Sequence, residues 1–289
     1  MNTTTFDFSF TPSRGPARAE ALRQGLEAVA ITNAGSYLGP SGARVDIAAR
    51  VASAVGRSRD WLPDESAPEP VARTSSASLR VSVVNGTSLA SARAMAARGL
   101  SPLVLNFASA KNPGGGFLNG ARAQEESLAR SSALYACLRT SGMYAHHRAV
   151  GDCMYSDWMI HSPGVPVFRD DESGALLDDA YDCAFLTTPA PNAGVVLQRD
   201  PSRKDEVNRV MTARARRVLA ICAAQGHRHL VLGAWGCGVF ANDPAVVARA
   251  FGAELDGAFA GVFDEVVFAV LDWSEERRFI RPFAERFAS

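Results

Sequence analysis

From residue 79 to residue 272, short apolar runs alternate with longer segments that have helical spacing. The predicted strands are 79–85, 102–109, 183–188, 230–236 and 264–272, and the predicted helices are 88–99, 124–142, 204–226 and 243–259. This alternation predicts an α/β fold whose sheet carries helices on both faces. Ligands bind such sheets beyond the carboxyl ends of the strands, so the chemistry is expected in the loops that follow them.

The first 76 residues follow a different pattern. A helix is predicted at 17–31 and a second one at 44–56, and 62–78 is rich in proline and serine, as linkers and surface loops are. The apolar stripe of the first helix is predicted to consist of Ala19, Leu22, Leu26 and Val29. We therefore expect two parts, a helical N-terminal extension with its linker at 1–76 and a catalytic domain at 77–289.

Charge and hydropathy exclude several classes of protein. Lys plus Arg and Asp plus Glu are both 30, so no overall basic field is present to hold nucleic acid. The apolar runs are far shorter than the ~20 residues of a membrane helix, and the first residues do not resemble a secretory signal. A soluble, cytoplasmic protein without membrane or direct nucleic-acid partners is predicted.

The cysteines and histidines show no metal-binding spacing. The five cysteines are odd in number and form no CxxC pair, which indicates reduced, mostly buried thiols. His146, His147, His227 and His229 are interpreted as surface or strand-edge residues. Neither a metal nor a redox cofactor is expected.

A glycine run and an acidic pair stand close together in the segment 112–126, NPGGGFLNGARAQEE. Gly114, Gly115 and Gly116 permit positive φ and let backbone amides approach a ligand, although a glycine run can also be a plain flexible loop. Glu125 and Glu126 begin a helix, where carboxylates commonly complement the helix dipole. Only seven residues, 117–123, separate the two features, so a ligand held by the loop would meet the acids.

GGG followed seven residues later by QEE resembles the signature of poly(ADP-ribose) glycohydrolases, and the preceding NFASAKNP resembles the microbial branch of that family. The resemblance implies that Glu126 is the general acid and base, that Glu125 holds ribose hydroxyls and that Gln124 supports the loop. The residues that match the macrodomain segment lining the ribose and pyrophosphate are Asn106, Phe107 and Ala108.

A second glycine-rich turn, GAWGCGVFAND, covers residues 233–243. Glycines between a strand and a helix can point backbone amides at a phosphate, but the spacing does not fit the G-x-G-x-x-G dinucleotide fingerprint. The turn resembles the macrodomain diphosphate loop. By that resemblance Gly236, Cys237, Gly238 and Val239 supply amides, and Phe240 stacks on adenine or packs against the neighbouring ribose. A nucleophilic role for Cys237 is disfavoured, since no histidine lies nearby in the sequence.

The resemblance implies a macrodomain-like, three-layer α/β/α fold with a central mixed sheet and an N-terminal helical extension. The implied activity is hydrolysis of ribose–ribose O-glycosidic bonds in poly(ADP-ribose), releasing ADP-ribose. The implied partners are poly(ADP-ribose), ADP-ribose and poly(ADP-ribosyl)ated proteins, in the reversal of ADP-ribosylation during the DNA damage response. A macrodomain that only binds ADP-ribose and a mono-ADP-ribosyl hydrolase are the alternatives, and a dehydrogenase lacks its fingerprint.

Neighbouring glutamates cannot easily straddle a sugar, as the paired carboxylates of most glycosidases do at separations of ~5 to ~9.5 Å. Glu125 and Glu126 are therefore expected to act from one side with separate roles. Glu126 would protonate the leaving oxygen and then activate water. We expect the charge of Glu125 and a bound diphosphate to raise the pKa of Glu126.

Overall fold

The computed structural model describes residues 3–7, 15–69 and 78–288. Its strands are β1 (Thr3–Asp7), β2 (Ser36–Leu38), β3 (Arg44–Asp46), β4 (Arg59–Trp61), β5 (Arg80–Val84), β6 (Pro102–Phe107), β7 (Met159–Arg169), β8 (Leu176–Thr188), β9 (His229–Leu232) and β10 (Glu265–Ala269). Its α-helices are α1 (Arg18–Ala34), α2 (Ala48–Arg57), α3 (Ser88–Ala96), α4 (Gln124–Ser131), α5 (Leu134–Leu138), α6 (Met143–Val150), α7 (Ala193–Arg199), α8 (Lys204–Ala224), α9 (Pro244–Asp256) and α10 (Arg281–Phe287).

A mixed sheet forms the centre of the described structure, with the strand order β1-β5-β10-β9-β6-β8-β7-β4. Neighbouring strands from β1 to β8 are parallel, whereas β7 and β4 are antiparallel to the strands beside them. The short strands β2 and β3 pair separately. Because parallel strands end at the same edge, the loops that follow β5, β6, β9 and β10 lie side by side.

Helices cover both faces of this sheet. Leu103 and Leu105 of β6 pack in one core with α8, α9 and α10, and Val104 between them packs in a second core with α1, α2, α3, α5 and α6. Successive side chains of a strand point to opposite faces, so each central strand contributes to both cores. The predicted α/β fold with a central mixed sheet is confirmed.

The start of α9 and the end of α3 differ in how they are capped. Asp243 caps α9, since its side chain accepts a hydrogen bond from the amide of Ala245 at 2.8 Å, and Pro244 is the first helical residue. Helix α3 ends at Ala96, earlier than predicted, and Gly99 takes φ 76° in the turn beyond it. The strand prediction missed β7, which has 11 residues, and the short strands before residue 62.

The predicted apolar face of the first helix is wrong. The buried residues of α1 are Ala21, Gln24, Gly25, Ala28 and Ile31. Leu22 and Leu26 are instead 37% and 56% exposed. At Gly25 the helix approaches Phe117 so closely that a Cβ atom would lie 2.8 Å from its carbonyl oxygen, so no larger side chain fits there.

The predicted helix 124–142 is also wrong, because it is interrupted after Ser131. Ser132 leaves the helix to form an antiparallel bridge with Val167, and its hydroxyl donates to the carbonyl of Leu128 at 2.7 Å. The same oxygen accepts a hydrogen bond from the amide of Leu134, which starts α5. Of the predicted helix 44–56, residues 44–46 form β3, and α2 begins only at Ala48.

The N-terminal part of the chain contributes to the central sheet. Strand β1 pairs with β5 at one edge, and β4 pairs with β7 at the other. The predicted boundary at residue 76 lies outside the described residues, so the division into 1–76 and 77–289 stays a prediction. No described helix is long and apolar enough to cross a bilayer.

All five cysteines are buried and free, as the sequence predicted. The interpretation of His147 as a surface residue is wrong. Its ring is 2% exposed, its Nδ1 lies 3.3 Å from the carbonyl oxygen of Ala110, and its Nε2 lies 2.7 Å from the hydroxyl of Ser156. Burial lowers the pKa of His147 to about 4, so it is a neutral structural residue near pH 7.

Candidate active site

A cleft of about 800 Å³ opens at the carboxyl edge of the parallel strands. The loops that follow β5, β6, β9 and β10 all line it, and so does the first turn of α4. The two glycine-rich segments singled out in the sequence therefore face one another across a single cavity.

Glu125 and Glu126 are both buried at the start of α4, with 3% and 8% exposure. Glu125 accepts hydrogen bonds from the amide of Ser109 at 2.6 Å and from the side-chain amide of Asn106 at 3.4 Å. The Oε1 atom of Glu126 accepts a hydrogen bond from the amide of Gly116 at 2.9 Å. Its Oε2 atom has no hydrogen-bond partner among the described residues.

The glycine run makes room for these carboxylates. Gly114 and Gly115 have φ values of 70° and 62°, in the left-handed region. A Cβ atom on Gly115 would lie 2.2 Å from Oε1 of Glu126 and 3.0 Å from Oε2 of Glu125. Any side chain at position 115 would therefore displace the acidic pair.

Gln124 and Asn106 join the acidic turn to the sheet. The side-chain oxygen of Gln124 accepts a hydrogen bond from the amide of Phe107, and its nitrogen donates to Ser88 and to the carbonyl of Leu105. Asn106 is fully buried and donates to the hydroxyl of Thr187 as well as to Glu125. The end of β6 thus fixes where α4 begins.

Burial raises the pKa of Glu125 well above its usual range, and the negative charge of Glu126 adds to this effect. The hydrogen bond from the amide of Ser109 acts in the opposite direction. The raised pKa that the sequence led us to expect at Glu126 stays a prediction. Two carboxylates this close favour a state in which the pair shares one proton.

The second glycine turn is closely packed at Gly236 and exposed to solvent at Val239. Gly236 has φ 73°, and a Cβ atom there would lie 2.5 Å from Cβ of Ala190. The side chain of Asn242 donates to the carbonyl of Gly236 at 3.0 Å and closes the turn. Val239 at the tip is 87% exposed.

Cys237 and Phe240 differ in their surroundings. Cys237 is buried, and burial raises its pKa, so its thiol does not have the character of a nucleophile. Phe240 lines the cleft and is half-buried, and its ring centroid lies 5.8 Å from that of Tyr155. Trp235 is fully buried in the core.

Residues 26–170, just over half of the chain, match the model of the family "Microbial-type PARG, catalytic domain". Poly(ADP-ribose) glycohydrolase from Thermomonospora curvata is 47% identical, with 93% of this chain and 100% of that chain covered and a TM-score of 0.88. The chain belongs to the microbial-type PARG family.

Two further structures of this family have bound ligands. The T. curvata enzyme bound to the inhibitor ADP-HPD is 46% identical, covers 93% of this chain and 100% of its own, and has a TM-score of 0.85. The Deinococcus radiodurans enzyme in complex with ADP-ribose is 41% identical, covers 82% and 96%, and has a TM-score of 0.74. No curated protein sequence matches the chain.

In this PARG most of the predicted site residues line the same cleft. They are Phe107, Ala108, Gly115, Gly116, Gln124, Glu125, Glu126, Gly236, Cys237, Gly238, Val239 and Phe240. Asn106 and Gly114 are buried and do not line it. Their position behind the wall of the PARG cleft suits support of the acidic pair better than contact with a ligand.

The sequence reasoning missed several residues of the cleft of this PARG. Asp171 accepts hydrogen bonds from Thr87 and Ser127, and burial raises its pKa to about 6. Arg130 is 3% exposed and lines the cleft four residues after Glu126. That spacing places both on one face of α4, a signal that was available in the sequence. Nothing in the sequence marks Asp171, which arrives from the β7–β8 hairpin.

Proposed function

We propose that the chain hydrolyses ribose–ribose O-glycosidic bonds in poly(ADP-ribose) and releases ADP-ribose, with Glu126 as the proton donor. The observation that carries the proposal is the placement of Glu126 at the cleft. One of its oxygens is fixed by the amide of Gly116, and the other has no partner among the described residues. Because Oε2 accepts no hydrogen bond from the part of the chain that the structure describes, it is the oxygen that can carry the proton that a general acid donates.

The hydrogen-bond donors around the pair indicate where a shared proton resides. Both oxygens of Glu125 accept hydrogen bonds, from Ser109 and Asn106, and a proton on either one would compete with a donor. The Oε2 atom of Glu126 meets no such donor. The proposed reaction therefore places the proton on Oε2 of Glu126 and the charge on Glu125, whose two hydrogen-bond donors oppose the rise in pKa that burial causes.

The proposed reaction begins when Glu126 donates its proton to the glycosidic oxygen of the leaving ribose. The bond from the anomeric carbon to that oxygen breaks, and the carbon develops oxocarbenium-like positive charge. Glu126, now a carboxylate, takes a proton from a water molecule, whose oxygen bonds to the anomeric carbon. Glu125 holds the ribose hydroxyls, since each carboxylate oxygen can accept a second hydrogen bond.

The second loop is proposed to hold the diphosphate of the same ADP-ribose unit. The amide of Cys237 donates to the carbonyl of Ala234 at 3.1 Å, so the amides of Gly236, Gly238 and Val239, in the turn after β9, are the ones proposed to meet the phosphates. Phe240 is proposed to contact the adenine or the adjacent ribose. The complexes of the relatives with ADP-HPD and ADP-ribose support an ADP-ribose site in this cleft.

The residues with proposed roles all lie within 77–289, the predicted catalytic domain. Poly(ADP-ribosyl)ated proteins in the cytoplasm are the proposed source of polymer, and removal of polymer after DNA damage is the proposed setting. These proposals rest on the family resemblance.

One assay tests the activity. The purified protein is incubated separately with poly(ADP-ribose), with mono-ADP-ribosylated protein and with NAD, and free ADP-ribose is measured. We expect release from the polymer. Binding of polymer without release would instead identify a macrodomain that only binds ADP-ribose, and release from mono-ADP-ribosylated protein alone would identify a mono-ADP-ribosyl hydrolase.

A further inference from the structure

We infer that helix α1, which lies outside the predicted catalytic domain, positions the segment between the glycine run and the acidic pair and thereby sets the geometry of Glu126. The inference rests on the proposed function, because it assigns a role in the same reaction. The segment, residues 117–123, is called the connecting segment below. It is held at its ends by Gly116 and Gln124, and α1 lies directly behind it.

One close approach between α1 and the connecting segment joins Gly25 and Phe117. A Cβ atom on Gly25 would lie 2.8 Å from the carbonyl oxygen of Phe117 and 3.2 Å from its ring. Phe117 is 1% exposed and begins the short 3-10 turn Phe117–Asn119. Backbone therefore packs against backbone here, and neither partner can move without the other.

A second contact joins Gly120, later in the connecting segment, to Arg18 at the start of α1. Gly120 has φ 74°, and a Cβ atom there would lie 2.5 Å from the carbonyl oxygen of Arg18. The side chain of Arg18 donates to the carbonyl of Asn119 at 3.3 Å. Arg122 in turn donates to the carbonyl of Pro16, just before α1, at 3.2 Å. The N-terminal turn of α1 thus holds the second half of the connecting segment.

A series of charged side chains, Glu27, Arg169 and Arg130, also connects α1 to the connecting segment. Glu27 of α1 pairs with Arg169 at 2.8 Å, and Arg169 is 2% exposed. Arg169 also donates to the carbonyl of Arg130, whose own guanidinium donates to the carbonyl of Ala121 at 2.8 Å. Two buried guanidiniums lie together here, so the carboxylate of Glu27 offsets charge that burial would otherwise penalise.

These contacts define a mechanical path to the proposed proton donor. Phe117 directly follows Gly116, whose amide holds Oε1 of Glu126. A shift of Phe117 therefore moves the donor that orients the carboxylate. None of the α1 side chains in this path touches the acidic pair, so Gly25 and Glu27 are positioning residues. Misplacement of a reacting group by ~1 Å can cost ~10²-fold in rate.

Gly25→Ala is the sharpest test, with Gly56→Ala as its matched control. Both exchanges replace a helical glycine, but a Cβ atom on Gly56 would have no atom within 4 Å. We expect Gly25→Ala to lower kcat for release of ADP-ribose by about tenfold or more. The Kd for ADP-ribose should stay within about threefold, and Gly56→Ala should have wild-type kcat. The clash with buried backbone should lower the Tm of Gly25→Ala, but kcat should fall by more than the Kd changes.

Glu27→Gln provides an independent variant, because its side chain is only partly buried and its loss should not prevent folding. Leu26→Ala, on the exposed face of α1, is its control. We expect kcat to fall for Glu27→Gln and not for Leu26→Ala, again with little change in the Kd for ADP-ribose. Unchanged kcat in both Gly25→Ala and Glu27→Gln, or losses of kcat, affinity and Tm in proportion, would overturn the inference. An inactive wild-type protein would instead overturn the proposed function.

Discussion

The amide of Gly116 donates a hydrogen bond of 2.9 Å to Oε1 of Glu126. Only the seven residues 117–123 separate Gly116 from Gln124, where α4 begins. Next to Gly116, a Cβ atom on Gly115 would occupy the space that the same carboxylate oxygen of Glu126 needs. The glycine run therefore serves the acid directly. Its backbone both holds Glu126 and leaves room for it, in addition to any contact with a ligand.

Gly115→Ala should remove most of the activity while the protein stays folded. The added methyl group would lie 2.2 Å from Oε1 of Glu126 at a residue with φ 62°, so the carboxylate must move. We expect a loss of ~10²-fold or more in kcat from this displacement. Turnover of polymer and circular dichroism would be measured together. Wild-type turnover would show that Glu126 tolerates another position.

Glu126→Gln should abolish nearly all release of ADP-ribose from polymer, with a loss of ~10²–10⁴-fold, because the amide cannot donate and recover a proton. Its affinity for ADP-ribose should remain within a few-fold. Glu285→Gln, an exposed carboxylate on α10, is the control. If both glutamates of α4 only stabilised the helix, Glu126→Gln would turn over polymer almost normally.

Glu125→Gln should impair both binding and turnover. Glu125 accepts hydrogen bonds from Ser109 and Asn106, and an amide nitrogen in place of one oxygen would meet a donor. We expect a larger loss of ADP-ribose affinity than for Glu126→Gln, measured by calorimetry on both variants. Equal affinities would argue against a ribose-holding role for Glu125.

Gly238→Glu should weaken ADP-ribose binding far more than Gly238→Ala. A Cβ atom on Gly238 has no atom within 4 Å, so the protein itself accommodates either side chain. The glutamate adds a negative charge where a diphosphate is proposed to bind, and the difference between the two variants should shrink as salt screens that charge. A difference that does not depend on ionic strength would place the diphosphate elsewhere.

The stability conferred by His227 should depend on pH. Its Nε2 lies 2.8 Å from Nε2 of His161, and burial lowers its pKa from 6.5 to about 4. The unfolded chain therefore binds the proton more tightly, so this stabilisation is complete above pH ~6.5 and is lost as the pH falls towards 4. The gap in the free energy of unfolding between wild type and His227→Gln should shrink on acidification. The slope should be less than ~1.4 kcal/mol per pH unit, since water partly screens the ring. A constant gap in urea unfolding would contradict this.

The contacts between residues that are close in the sequence were predictable. Gly115 and Glu126 are close along the chain, so a spacing argument brings them together, and Asp243 and Pro244 act on the helix that they begin. The same holds for the alternation of strands and helices, which predicts a sheet with helices on both faces. Such features can be read from the order of residues along the chain.

The residues that were mispredicted depend on distant contacts. Helix α1 turns Gly25 inward because Phe117, far along the chain, approaches too closely for a larger side chain. The helix predicted at 124–142 breaks because Ser132 pairs with Val167 of β7. His147 is buried by contacts with Ala110 and Ser156 from two loops. Spacing along the chain contains no sign of these partners.

Trp273 lines the cleft and is 50% exposed, whereas Trp61 and Trp235 are buried in the core and Trp158, which is partly buried, does not line the cleft. An indole in that position changes its emission when a ligand excludes water from its face. Occupancy of the cleft can therefore be followed by intrinsic fluorescence, without a label or a coupled assay. The variant Trp273→Phe is the control, because it lacks the indole that lines the cleft. The buried indoles should stay constant during such a titration and report unfolding instead, so one optical signal separates loss of ligand from loss of fold.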